Sequence, residues 1–153
     1  MTKQPLVIYI DMDDVICDYQ SAYSFYKSED PKLRFPQALL GFFEDLKPIE
    51  NAVESVNKLR SMSNLDVYIL SAPSTRNIKS YSEKRAWVGR HFDYDLAKRL
   101  ILCSNKGLMR GDFLVDDNNS GKGQERFEGE LLHFGTDQFP DWSSVMKYLK
   151  EIV

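Results

Sequence analysis

LVIYIDMDD, residues 6–14, decides how the rest of this 153-residue chain reads. Five apolar residues in a row, Leu6 to Ile10, are what a strand buried on both faces requires, because neither side of its pleat meets water. The run stops at once on Asp11, Asp13 and Asp14. Open parallel sheets bind their ligands beyond the carboxyl ends of the strands, so acids at this point stand where chemistry is done.

Working outward, Asp66-Val67-Tyr68-Ile69-Leu70 repeats the pattern and ends in Ser71-Ala72-Pro73. Leu100 to Cys103, Phe113 to Val115 and Leu131 to Phe134 read as third, fourth and fifth strands. Between them lie helical stretches. Residues 51–62 place Val53, Val56, Leu59 and Met62 on one face, residues 77–92 carry Ile78, Tyr81, Trp87, Val88 and His91, and Trp142 to Ile152 closes the chain. Strands alternating with helices predict an α/β fold, a three-layer Rossmann-like parallel sheet with crossover connections. Residues 18–47 interrupt the alternation. They are helical in pattern and rich in aromatic residues, with Pro31 and Pro36 inside them. This predicts one domain whose core is residues 1–17 and 48–153, with a small helical cap inserted at about 18–47.

Hydrophobic residues make up 42% of the chain and charged residues 28%, an ordinary globular balance, and the net charge is −3. Neither a long nucleic acid nor a membrane surface is the expected partner, since both call for clustered positive charge. No apolar run approaches a membrane span of about 20 residues, and Leu6–Ile10 is too short for a signal-peptide core. Cys17 and Cys103 form no metal or redox spacing and read as free thiols, which places the protein in the cytoplasm.

The chemistry comes from the residues at and just past the end of each strand. The first strand delivers Asp11 and Asp13, the second Ser71, the third Lys106 and the fourth Asp116 and Asp117. Any one of these could be a turn former or a helix cap; their convergence on one sheet edge is the signal. Hard carboxylate oxygens without a His or Cys cluster suit Mg²⁺. A carboxylate can attack phosphorus, and a second, two residues on, can protonate the leaving group and then activate water. Ser71 and Lys106 can hold the phosphoryl oxygens.

Asp11-x-Asp13, Ser71, Lys106 and Asp116-Asp117, in that order, resemble the four motifs of the haloacid dehalogenase (HAD) superfamily of phosphotransferases. DMDDVICDY, GFFEDLKPIENAVE, YILSAP, YSEKRAWVGRHF and LMRGDFLVDD resemble the 5'(3')-deoxyribonucleotidase family over nearly the whole chain. The resemblance implies a HAD-like core with a small helical cap and Mg²⁺-dependent hydrolysis of nucleoside monophosphates through an aspartyl-phosphate. It makes Asp11 the nucleophile and Asp13 the general acid and base. Asp11 and Asp116 become carboxylate ligands of Mg²⁺, Asp13 lends its main-chain carbonyl, and Asp117 supports the metal from behind. Ser71, Lys84 and Lys106 become the phosphate-binding set, and Tyr19, Phe42 and Phe43 the aromatic lining of the nucleoside pocket. Read as residues alone, those rings are an ordinary helical core, and Lys84 a solvated helix residue. Two positions depart from the pattern: Ala72 stands where some relatives carry a second hydroxyl, and Asn118 where they often have Arg or Lys.

Other readings are a HAD phosphatase for another small ester such as a sugar phosphate, a receiver-like signalling module, and a non-catalytic nucleotide-binding module. A receiver needs its phosphorylated Asp after the third strand, where this chain has Cys103-Ser104-Asn105. Trp87 and Trp142 read as packing residues, His91 and His133 as structural. A homodimer is compatible with all of this.

Overall fold

A computed structural model describes residues 4–153. Five strands, β1 (Leu6–Ile10), β2 (Leu65–Ser71), β3 (Leu100–Leu102), β4 (Phe113–Asp116) and β5 (Glu130–His133), form one sheet in the order β3-β2-β1-β4-β5. Every pairing is parallel. This is the expected Rossmann-like α/β fold. The apolar run Leu6–Ile10 forms the central strand, and its residues feed two separate cores. Ile8 and Ile10 face the larger, Tyr9 the smaller.

The larger face is covered by α2 (Ala52–Arg60), α3 (Ser80–His91) and α5 (Trp142–Ile152), through Val56, Leu59, Trp87, Val88, Val145 and Leu149. The opposite face is a thin layer. Tyr9, Leu70, Leu114 and Phe127 pack there under short 3-10 turns, Lys106–Leu108 and Gln124–Arg126. Gly107, Gly111, Gly121, Gly123 and Gly129 punctuate these two connections, so neither sustains an α-helix.

Two helices depart from the sequence reading. In α3 the buried face is Ser80, Glu83, Lys84, Trp87 and Val88, while Tyr81 is 57% exposed and Ile78, two residues before the helix, 85%. Periodicity points the wrong way there because the helix turns polar groups toward the ends of the strands. A short helix, α4 (Tyr94–Ala97), comes next, capped by Asp93, whose carboxylate accepts the Leu96 N–H.

The two ends of residues 18–47 lie side by side: Asp18 N–H donates to the Lys47 carbonyl at 2.8 Å, and Cys17 bridges Pro48, while Phe42, Phe43 and Leu46 of the segment pack into the larger core. The segment holds α1 (Tyr19–Glu29), capped by Asp18, and a 3-10 turn at Pro36–Ala38. The helix suggested by FPQALLGFFEDL does not continue past that turn. Gly41 adopts a left-handed φ of +85°, which a helix excludes and a glycine accommodates most easily. The ring of Trp87 fixes the returning chain through Nε1–H to the Leu46 carbonyl at 2.7 Å. Among the described residues no helix is long and apolar enough to cross a membrane.

Candidate active site

Past β1 the chain makes a compact reversal. Cys17 N–H donates to the Met12 carbonyl and Asp14 N–H to the Cys17 carbonyl, hydrogen bonds that pass over the Asp13 carbonyl. Asp14 has a left-handed φ of 58°, and its carboxylate accepts the Gln20 N–H at the start of α1. Trp142 anchors the loop from α5, its Nε1–H donating to the Val15 carbonyl at 2.8 Å. Asp11 and Asp13 are thereby held at the carboxyl end of the central strand.

Lys106 Nζ lies 2.8 Å from Asp11 Oδ1 and 2.5 Å from Asp116 Oδ2. Burial alone would lower this lysine's pKa; the Asp11 and Asp116 charges outweigh it, and the net shift is upward. Asp116 is fully buried. Its Oδ1 accepts the Asn118 N–H, and its Oδ2 accepts from both Lys106 and Gln124 Nε2. Asp117 lines the cleft, and its Oδ1 is buried with no hydrogen-bond partner. Burial, with the charges of Asp11 and Asp116, pushes Asp117 up to about 8. One carboxylate oxygen each from Asp11, Asp116 and Asp117 lies within 4.8 Å of the others.

On the other side, Lys84 Nζ is 2.8 Å from Asp13 Oδ2 and donates to Ser71 Oγ at 2.9 Å. Burial raises the Asp13 carboxyl above the usual carboxylate range, with Lys84 opposing. Asp13 Oδ1 is buried and unpartnered.

These groups open on a cleft of about 310 Å³ whose walls include Asp11, Asp13, Asp117 and Lys106, together with Tyr19 and Phe43 from the inserted segment. Ala72, Pro73 and Ser74 form another part of the wall.

The comparisons add to this geometry. The family model of the 5' nucleotidase, deoxy (Pyrimidine), cytosolic type C proteins matches residues 33–138. A Vibrio phage KVP40 protein that carries the name 5'(3')-deoxyribonucleotidase is 40% identical over 151 residues, 97% of this chain and 86% of that protein. The chain belongs to the 5'(3')-deoxyribonucleotidase family. The human 5'(3')-deoxyribonucleotidase of cytosolic type is 34% identical over 85 residues, 56% of this chain and 42% of the human one. Among solved structures, a haloacid dehalogenase-like hydrolase from Xanthomonas campestris superposes with a TM-score of 0.64 at 9% identity, covering 98% of this chain and 96% of that one. A magnesium-bound HAD-hydrolase from Bacillus subtilis gives 0.60 at 12% identity, covering 96% and 99%. These two likenesses establish the HAD fold. As a deoxyribonucleotidase-family member, the protein is an enzyme, a phosphoric monoester hydrolase.

Within this family member, three expected assignments meet a geometry that the sequence did not show, with Asp116 remaining in the group of three carboxylates that could hold a metal. Asp116, expected as a metal ligand with Asp117 behind it, is the one whose oxygens are already engaged, and Asp117 is the one on the cleft. Ser71 and Lys84, expected on the phosphate, are 1% and 0% exposed and are bonded to each other, with Lys84 also on Asp13. Phe42, expected in the nucleoside pocket, packs edge-on against Tyr19 and Phe43, with ring centroids at 5.3 and 5.1 Å, and borders a separate apolar hollow with Phe25 and Tyr26.

Gln124, Lys122, Gln37 and Glu83 escaped the sequence reading. Gln124 comes after a Gly-Lys-Gly turn that gives no chemical hint. At Gly123, φ is +84° and a Cβ would meet Asn105 Oδ1 at 2.0 Å, so the turn that brings Gln124 to Asp116 depends on that glycine.

Proposed function

We propose that this enzyme is a Mg²⁺-dependent phosphatase of nucleoside monophosphates, deoxy forms included, that carries the phosphoryl group on Asp11. The observation that bears most weight is Asp11 on a cleft wall, 2.8 Å from Lys106, in reach of two more carboxylates and two residues before Asp13.

The donor set fits a hard divalent cation. Three carboxylates share a single ammonium, which leaves two negative charges uncompensated when all are ionised, and Asp117 Oδ1 has no partner. Asp11, with one or both of Asp116 and Asp117, would hold the ion, together with the Asp13 carbonyl that the loop's own hydrogen bonds leave aside. When bound, it would offset the negative charge of a phosphate dianion approaching these acids. The magnesium in the Bacillus subtilis hydrolase supports that choice.

Asp11 forms a bond from a carboxylate oxygen to phosphorus as the ester P–O bond to the nucleoside breaks. Asp13 donates its proton to that departing oxygen, and the nucleoside leaves as the neutral alcohol. Its burial favours the protonated form this step requires, and Lys84 at Oδ2 fixes its orientation. Asp13, now ionised, takes a proton from water as the water oxygen attacks phosphorus. The Asp11–phosphorus bond breaks, inorganic phosphate leaves, and both acids return to their starting states. Lys106 stabilises charge on the phosphoryl oxygens.

The inserted segment 18–47 acts as the cap. Tyr19 and Phe43 offer the base faces to stack on, and the names of the relatives support a nucleotide at this place. Two free thiols fit a reducing cytoplasm. The test is phosphate release from a panel of nucleoside monophosphates and sugar phosphates, with Mg²⁺ and then with chelator. Turnover of nucleotides that stops on chelation is expected. Sugar phosphates turned over with no nucleotide hydrolysed, or activity undiminished by chelation, would overturn the reading.

A further inference from the structure

Glu83 is 5% exposed, yet among the described residues no lysine, arginine or histidine forms an ion pair with it. A buried carboxylate without a counter-ion is costly unless N–H groups satisfy it. Three do. Oε1 accepts the Gly41 main-chain N–H at 2.7 Å, while Oε2 accepts the Phe43 N–H at 3.1 Å and Asn77 Nδ2 at 3.3 Å. Asn77 donates in turn to the Gln37 and Leu39 carbonyls at 3.1 and 3.2 Å.

The stretch from Gln37 to Phe43 is therefore suspended from α3 and the residues just before it. Past its short 3-10 turn it has no regular structure of its own. A carboxylate is the group this position demands, because both oxygens must accept. An amide would turn a donor toward one of the two main-chain N–H groups. The next residue of the same helix is Lys84, which reaches Asp13 and Ser71 and lies 4.6 Å from the centre of the Phe43 ring. Two consecutive residues of α3 thus hold, respectively, a wall of the cleft and the acid that moves protons in it.

We infer that Glu83 is a positioning residue for substrate selection: by fixing Gly41 and Phe43 it places the Phe43 ring, and so sets which leaving groups the cleft accepts. This rests on the nucleotide reading above. Glu83 does not line the cleft, so it acts only through the segment it holds. Its loss falls on substrates large enough to reach Phe43 and spares the chemistry at Asp11.

The experiment compares wild type and Glu83→Gln on thymidine 5'-monophosphate and on acetyl phosphate, which has no ring to reach Phe43. Amide hydrogen exchange at Gly41 and Phe43 is measured in parallel. Losing one acceptor is expected to raise KM for the nucleotide about tenfold, a single hydrogen bond's worth. kcat, and kcat/KM for acetyl phosphate, stay within about twofold of wild type, and the two amides exchange faster. Glu83→Asp keeps both acceptors on a shorter stem and recovers part of the loss. An unchanged nucleotide KM in folded Glu83→Gln, an equal loss on both substrates, or failure of both variants to fold would overturn the inference. If wild type hydrolyses acetyl phosphate and no nucleotide, the nucleotide reading falls instead, while the exchange of the two amides still shows whether Glu83 holds the wall.

Discussion

Asp116 ends β4 and Asp117 is the next residue, and although an oxygen of each lies within 4.8 Å of the other, their partners differ. That single backbone step divides their chemistry. Asp116 turns inward to Lys106 and Gln124, Asp117 outward to the cleft. We expect Asp117→Asn to raise the Mg²⁺ concentration for half-maximal activity by about tenfold or more, as loss of a group at a metal site does, with the metal-free melting temperature not lowered. Asp116→Asn leaves Lys106 with Asp11 as its remaining buried counter-charge, so the loss should stay below the about 3–5 kcal/mol of a fully broken buried pair, yet thermal unfolding should register it. Equal Mg²⁺ dependence in the two variants would put Asp116 on the metal beside Asp117. Asp11→Asn should abolish turnover, because an amide is a poor nucleophile. Asp13→Asn should lower kcat by about 10²–10⁴-fold, the usual worth of general acid–base catalysis. Beryllium fluoride, a mimic of the phosphorylated carboxylate, should occupy Asp11 in wild type, and a complex formed on any other residue would refute the assignment.

The elements of the inserted segment separate two neighbouring phenylalanines in the same way. Phe42 and Phe43 are 2% and 3% exposed, yet only Phe43 lines the cleft. Phe43→Ala should lower kcat/KM for a nucleotide roughly tenfold, since stacking of a base on a ring is worth about 1–3 kcal/mol, and leave acetyl phosphate almost untouched. Phe42→Ala removes a ring packed against Tyr19, Tyr26 and Phe43, and truncation of a buried Phe costs about 3–5 kcal/mol. Its signature should be a lowered melting temperature with no preference between substrates. A selective nucleotide defect in Phe42→Ala would place that ring in the pocket after all. At this scale α3 shows how function displaces pattern: its inward face is Ser80, Glu83 and Lys84 beside Trp87 and Val88. A helix that must deliver a cation to Asp13 and a carboxylate to Gly41 cannot also show a simple apolar stripe.

Across the whole molecule, acid is gathered at one end of the sheet, and this couples stability to metal and pH. Without a cation, Asp117 is pushed up to about 8, against ~3.9 for an unfolded chain. Between those values the folded protein holds a proton that the unfolded chain has released, so stability falls as pH rises through that window. A divalent cation takes the place of the proton. The rise in melting temperature on adding Mg²⁺ should be larger at pH 8 than at pH 6, and a rise that is the same at both would remove Asp117 from the metal site. Much of this molecule was legible in its sequence. Leu6–Ile10 and Asp66–Leu70 read as strands of a covered parallel sheet, and strand order along the chain puts Asp11, Asp13, Lys106, Asp116 and Asp117 at one edge whatever the side chains then do. Which of those groups meet the cleft was not legible. Lys84 and Ser71 behind Asp13, Phe42 turned away from Phe43, and Glu83 holding Gly41 from 42 residues away depend on rotamers and on contacts between distant segments. Local propensity and periodicity fix backbone class and side-chain face, whereas partner choice is settled only when packed elements compete for the same few buried donors and acceptors.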